Sequence, residues 1–348
     1  MGVFVLLPLL LPLTALPIAG LAERHLHPRV ATRLLSALAA ALAVCSTVCL
    51  GLLVVVGTVQ LPGHPLPDAW ADREAPATAP YEEAAGKGAV VALLAVAVSW
   101  STAVRRHRRV RRRAEHALAG VPDGELAVLA DEAAYAYALP GVRNRPADAW
   151  TTTGSTARLT ARLTAWFMAR LTRRPVVRAG ISGGRIVVST AMLACLDTGE
   201  RAALVAHERA HLAGHHHRYL LVVRFAARAN PLLTPLRSAV AYTTERWADE
   251  EAARVTGERR VVARAIGKAA LVTRGTPTPT LAGFAAPGPV PRRVAALLVP
   301  APSAVSWPPV FTAVGLAAWA AAAGTLGSAL SSANATLTLL LVLKAGPL

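Results

Sequence analysis

Two short stretches hold the residue types that can do chemistry at a useful spacing. His207-Glu208-Arg209-Ala210-His211 sets two imidazoles four residues apart, so on a helix they share one face and can point at one ion. Two neutral histidine nitrogens suit zinc, and the glutamate beside the first can reach the metal-bound water as general base. Zinc lowers the pKa of that water toward neutrality, and Glu208 would accept its proton as hydroxide attacks a carbonyl. The bland alternative is a solvated helix with two surface histidines. A third ligand is needed, and Glu245-Arg246-Trp247-Ala248-Asp249 supplies one. Glu245 would complete a His2Glu set with the fourth position open. Asp249, one turn on, is placed to accept a hydrogen bond from the second ring nitrogen of His207 and so fix its tautomer. Glu250 and Glu251 read as an ordinary acidic face.

The same run also fits a rival pattern. His207, Glu208, His211, Gly214 and His217 follow the metzincin spacing, with His217 as third ligand. That class needs a methionine turn below the metal, and the only methionines are Met1, Met168 and Met192, all upstream. Glu245 is therefore favoured, and His215, His216 and His217 become a polar tract near the mouth of the site.

The elements that must position these residues are legible around them. Asp197 with Glu200 three residues on reads as a capping box opening a helix. Its pattern persists past His217 and must stop or kink at Pro231. Thr234-Pro235 opens the next helix, and Gly257 closes it. Glu125–Ala130, Val176–Ile181 and Arg185–Ser189 read as strands, the last two joined as a hairpin through Ser182-Gly183-Gly184. Residues 151–174 read as a basic amphipathic helix, and residues 275–292 as loop.

Composition sets the wider frame. The chain has 348 residues, is 54% hydrophobic and has a mean hydropathy of +0.42, more apolar than an ordinary soluble domain. The excess sits in runs near the ends: Gly2–Leu21, about Leu34–Val59, about Gly88–Val104, and 309–343. No Lys or Arg precedes the first run, so it lacks the basic start of a secretory leader. The net charge of +17 raises a nucleic-acid reading. Yet the densest basic run, Arg105 to Arg113, directly follows an apolar stretch and has no reader motif beside it, so lipid headgroups are the better partner. Residues 23–33 are basic, 61–87 acidic, and the run after Val104 basic again. Positive charge inside then puts the N-terminus outside and everything after Val104 in the cytoplasm. Cys45, Cys49 and Cys195 have no metal or disulfide spacing and read as small apolar packing residues.

The sequence HERAH followed by ERWAD, after an RIVVST strand and between membrane helices, resembles the BlaR/MecR-type membrane metallopeptidases, relatives of the HtpX and CAAX-prenyl-protease group. The resemblance covers about residues 120–300 and is sharpest over 183–257. It implies His207, His211 and Glu245 as zinc ligands, Glu208 as base and Asp249 behind a ligand histidine. It likens Arg185–Ser189 to an edge strand that pairs with an extended substrate, and Pro291-Arg292-Arg293-Val294 with Leu297 to the closing motif of the domain. No His or Tyr follows Asp249, so Arg293 or Arg254 is the candidate transition-state donor. The antibiotic-sensing members carry a penicillin-binding domain after the last span; little follows residue 343 here, and the likeness does not extend to β-lactam sensing.

The expected architecture is a multipass α-helical membrane protein with an α+β, gluzincin-like metallopeptidase domain. Residues 1–104 hold three transmembrane helices, 105–300 a cytoplasmic zinc metallopeptidase domain, and 301–348 a C-terminal transmembrane segment of one long or two short helices. The expected activity is zinc-dependent cleavage of a protein or peptide substrate, either a regulator such as a repressor or a damaged membrane protein. The alternative is an inactive relative that binds a partner at the membrane, against which the intact Glu208 argues.

Overall fold

The computed structural model describes residues 7–59, 79–122, 124–141, 184–273 and 290–302, with scattered helical positions between 315 and 334. The basic helix expected at 151–174, the strand Val176–Ile181 and its hairpin turn at 182–183 lie outside the described residues. So does most of the last apolar run. The chain forms two compact units, residues 1–113, 218–244 and 302–348 in one, and 114–217 and 245–301 in the other. Residues 218–244, inside the span expected to be peptidase, thus group with the apolar ends.

In the first unit the described part of the opening apolar run, residues 7–21, is helical in pieces. It forms a turn of helix α1 (Leu7–Leu10), a 3-10 turn at Leu11–Thr14, and then α2 (Ala15–His25). Prolines 8, 12 and 17 lack the N–H that a continuous ladder needs, which breaks the run into pieces. Helix α3 (Pro28–Val59) follows, then α4 (Ala79–Ala117). Within them Pro28–Val54 and Ala84–Ala117 are long and apolar enough to cross a membrane. At 1.5 Å per residue the shorter of these reaches about 40 Å, more than the hydrocarbon core. The third expected span and the arginine run after it are therefore one unbroken helix. Leu35, Ala39 and Leu42 of α3 bury against Val223, Leu233, Leu236 and Val240, carried by α7 (His216–Ala229), a 3-10 turn at Pro231–Leu233 and α8 (Thr234–Thr256). Thr32 Oγ1 donates to Thr243 Oγ1 at 2.9 Å, and Asn230 Nδ2 to Ser46 Oγ at 3.1 Å. Cys45 and Cys49 pack in this unit as expected, whereas Cys195, at the end of a short helix of the second unit, is exposed and free. That third packing assignment does not hold, since Cys195 caps the helix Thr190–Ala194 at an exposed turn.

The second unit is built on three strands, β1 (Leu126–Leu129), β2 (Ala136–Leu139) and β3 (Arg185–Ser189), in the order β1-β3-β2. β3 runs parallel to β1, with Leu126 opposite Ile186, and antiparallel to β2, with Tyr137 opposite Val187. The edge-strand likeness of Arg185–Ser189 is thereby overturned. Ile186, Val187 and Val188 are fully buried, and such a continuous apolar run belongs at the centre of a sheet. Among the described strands the edges are β1 and β2. Val187 faces Ala114, Leu118 and Tyr137, while Ile186 and Val188 face Met192, Leu196, Leu204 and Leu212. The latter four come from α5 (Thr190–Ala194), the bend after it, and α6 (Thr198–Ala213).

The capping box forms as the sequence suggests: Glu200 N donates to Asp197 Oδ1 at 2.8 Å and Asp197 N to Glu200 Oε2 at 3.0 Å. Ala203 and Ala206 of α6, Ala252 and Ala253 of α8, and Val262 and Ala265 of α9 (Arg259–Val272) pack together with Leu297 of α10 (Val290–Leu298). The alanines let these helices approach closely. Arg259 closes the end of α10 by donating to the carbonyls of Ala296 and Leu297 at 2.9 and 3.1 Å.

Candidate metal centre

Helix α6 carries His207, Glu208 and His211, α8 carries Glu245 and Asp249, and α10 carries Arg293. All of these lie in the second unit. The helical period puts each pair four residues apart on one face, and the alanine contacts turn those faces toward each other. His207 Nε2 and His211 Nε2 lie 3.1 Å apart. His207 Nε2 is 3.6 Å from Glu245 Oε2, and His211 Nε2 is 3.5 Å from Glu245 Oε1. One ligand atom from each of the three falls within 4.8 Å of the other two. Glu245 Oε1 is buried without a hydrogen-bond partner, an acceptor that a cation would satisfy.

Behind this triad stands a charged layer. His207 Nδ1 is 3.1 Å from Asp249 Oδ1. Arg293 donates through Nε to Asp249 Oδ2 at 2.9 Å and through Nη2 to Oδ1 at 2.6 Å. Its Nη1 also reaches Glu245 Oε2 at 2.8 Å. Asp249 is fully buried and Arg293 nearly so, so neither charge could persist there unpaired.

These contacts set the titration of the group. Burial disfavours charge on His207, but Asp249 and Glu245 outweigh it and raise the ring to about 10. Burial dominates at His211 and lowers it to about 4. Burial opposes ionisation of Glu245 too, yet Arg293, His211 and His207 hold its carboxyl far below the usual range. Positive charge is thus favoured at His207 and disfavoured at His211. Glu208 is pushed up to about 7, chiefly by burial. The backbone N–H of Ala138 on β2 opposes that rise slightly.

The structure brings together His207, His211, Glu245, Asp249 and Arg293, with Glu208 on the same helix. It does not bring His217 into the converging set. Arg254 pairs instead with Glu251 on an exposed face. Two features were missed. Strand β2 is four residues of alternating alanine and aromatic or leucine, too short to signal itself. His216, assigned to a polar tract near the mouth of the site, is fully buried with its Nδ1 2.9 Å from His211 Nδ1. Helix α6 ends at Ala213 and α7 begins at His216, so the expected continuous helix is broken at Gly214-His215. In an unbroken helix His216 would lie about 140° round from His211. Gly214 inside a helical pattern was the available signal.

No curated protein and no solved structure matches the chain. The model of peptidase family M48 matches residues 158–229, a stretch that includes His207, Glu208 and His211 and stops short of Glu245. That match, over residues that form one wall of the triad, supports the M48 metallopeptidase family for this chain.

Proposed function

We propose that the chain is a membrane-anchored zinc endopeptidase in which His207, His211 and Glu245 hold the metal and Glu208 moves the proton. The observation that carries this reading is the convergence of two Nε2 atoms and one carboxylate beside a buried glutamate. Zinc with ligands at 2.0–2.1 Å in a tetrahedron sets neighbouring ligand atoms about 3.3 Å apart. The separations of 3.1, 3.5 and 3.6 Å fit that spacing. Two imidazoles and a carboxylate are also the donor set of a catalytic zinc with an open position.

When bound, zinc supplies a Lewis acid that makes water nucleophilic near neutral pH and polarises the scissile carbonyl. Glu208 takes the proton of the attacking water at its carboxylate. The same carboxyl then returns the proton to the leaving amide nitrogen. Asp249 orients His207, and Arg293 holds Asp249 and Glu245 in register. With its donors so engaged, Arg293 is better suited to positioning these carboxylates than to stabilising a transition state. The arginine extension of α4, and the run of basic, acidic and basic loops in the sequence, favour a cytoplasmic catalytic domain at the cell membrane. Kinship to the BlaR/MecR-type members rests on the ERWAD motif and flanking apolar helices. A repressor and a damaged membrane protein remain the two substrate classes that the resemblance offers.

Zinc content and cleavage of an unfolded protein substrate, measured on the full chain in detergent, test the proposal. One zinc per chain is expected, with Glu208→Gln keeping the metal and losing activity by about 100- to 10,000-fold. A chain that holds no zinc would sink it and leave the scaffold reading in its place.

A further inference from the structure

Resting on the metal reading above, we propose that His216 is the positioning residue of His211: its Nδ1 accepts the Nδ1–H of His211, which leaves His211 Nε2 free for the metal. The two Nδ1 atoms are 2.9 Å apart, and the rings meet edge to face at 4.7 Å and 87°. One proton must lie between those two nitrogens. If His216 donates it, the His211 proton moves to Nε2, which then cannot ligate. If His211 donates it, Nε2 presents its lone pair toward His207 Nε2 and Glu245. Only the second arrangement is competent for metal.

The local chain is shaped to put His216 there. His215 adopts φ of 52°, a left-handed conformation that a non-glycine residue keeps only where its surroundings demand it. A Cβ at Gly214 would lie 2.3 Å from His216 Nε2 and 3.0 Å from the Ala210 carbonyl, so no larger residue leaves room for the ring. Trp247, two residues after Glu245, closes the other side, with its ring centroid 4.4 Å from that of His216. His216 is fully buried, and its Nε2 has no hydrogen-bond partner among the described residues. A histidine kept at that cost, with one nitrogen aimed at a ligand, serves the ligand rather than the core.

Two substitutions separate positioning from packing. His216→Phe keeps the ring and its contact with Trp247 but removes the acceptor. His216→Asn gives up volume but sets an amide oxygen where Nδ1 stood. Zinc affinity, read by competition with a chromophoric chelator on the full chain in detergent, should fall about 10- to 100-fold in His216→Phe. It should recover most of that loss in His216→Asn, although thermal unfolding of the metal-free chain should rank Asn below Phe. A packing role would give the reverse order of affinity, Phe above Asn, and would overturn the proposal. Wild-type affinity in His216→Phe would overturn it while leaving the zinc reading intact. A wild-type chain without zinc would overturn both.

Discussion

The two imidazoles of the triad point their Nε2 atoms at the same place but stand against unlike walls. Behind His207 lies Asp249, itself clamped by Arg293, so that ring is backed by full charges in a buried network. Behind His211 lies a neutral ring, His216, wedged between Gly214 and Trp247. Either wall can set a tautomer, because each offers a nitrogen or oxygen acceptor at hydrogen-bond distance from Nδ1. They differ in what happens when they are breached. Removing one partner from a buried charge network strands the others, whereas removing a neutral acceptor costs one hydrogen bond.

The largest effect should follow Asp249→Ala, which leaves Arg293 only its contact with Glu245 and frees His207 at once. We expect a loss of about 3–5 kcal/mol in stability, seen as a lower unfolding temperature in chelator, together with a fall in zinc affinity of about 10- to 100-fold. An unchanged unfolding temperature would show that the charged wall is not what holds this side. Arg293→Met should destabilise the metal-free chain strongly as well, since Glu245 and Asp249 are then left with His207 as their shared cationic partner. Zinc should restore more stability to this variant than to wild type, because the ion replaces part of the missing charge; equal restoration would break the argument. On the neutral side, Gly214→Ala should cost about 1–3 kcal/mol through overpacking against His216 and lower zinc affinity as it displaces that ring. Affinity equal to wild type would separate His216 from the metal. The smallest effect belongs to His217→Ala, outside the converging set, which should change stability by no more than about 0.5 kcal/mol and leave zinc content intact. Loss of zinc there would return the third ligand to the metzincin pattern.

Much of this centre could be read from spacing alone. Positions four apart on a helix share a face whatever the rest of the chain does, so His207 with His211, and Glu245 with Asp249, were paired before any fold was known. Asp197 and Glu200 close a local ring of hydrogen bonds, and Thr234-Pro235 and Gly257 bound a helix by rules that act over a turn. β2 escaped because four residues that alternate alanine with Tyr137 and Leu139 carry little strand propensity of their own. They become a strand by pairing with β3, forty-six positions or more along the chain. The same nonlocal pairing moved Arg185–Ser189 from an expected edge to the centre.

Arg293 shows the boundary between the two kinds of information. Its place in a closing motif was visible, but a guanidinium can serve a transition state, a surface or a buried carboxylate, and sequence does not distinguish these. Packing of α10 against α9 places it on Asp249 and Glu245. His216 is the opposite case, a residue whose type suggested water. The left-handed turn at His215 and the missing side chain at Gly214 carry it into the core instead. Local periodicity therefore determined which side chains share a helix face, since that depends on backbone geometry within a turn or two. Which faces meet, and which residue stands behind each histidine, depends on burial and on contacts between distant segments, and only the tertiary structure decided it.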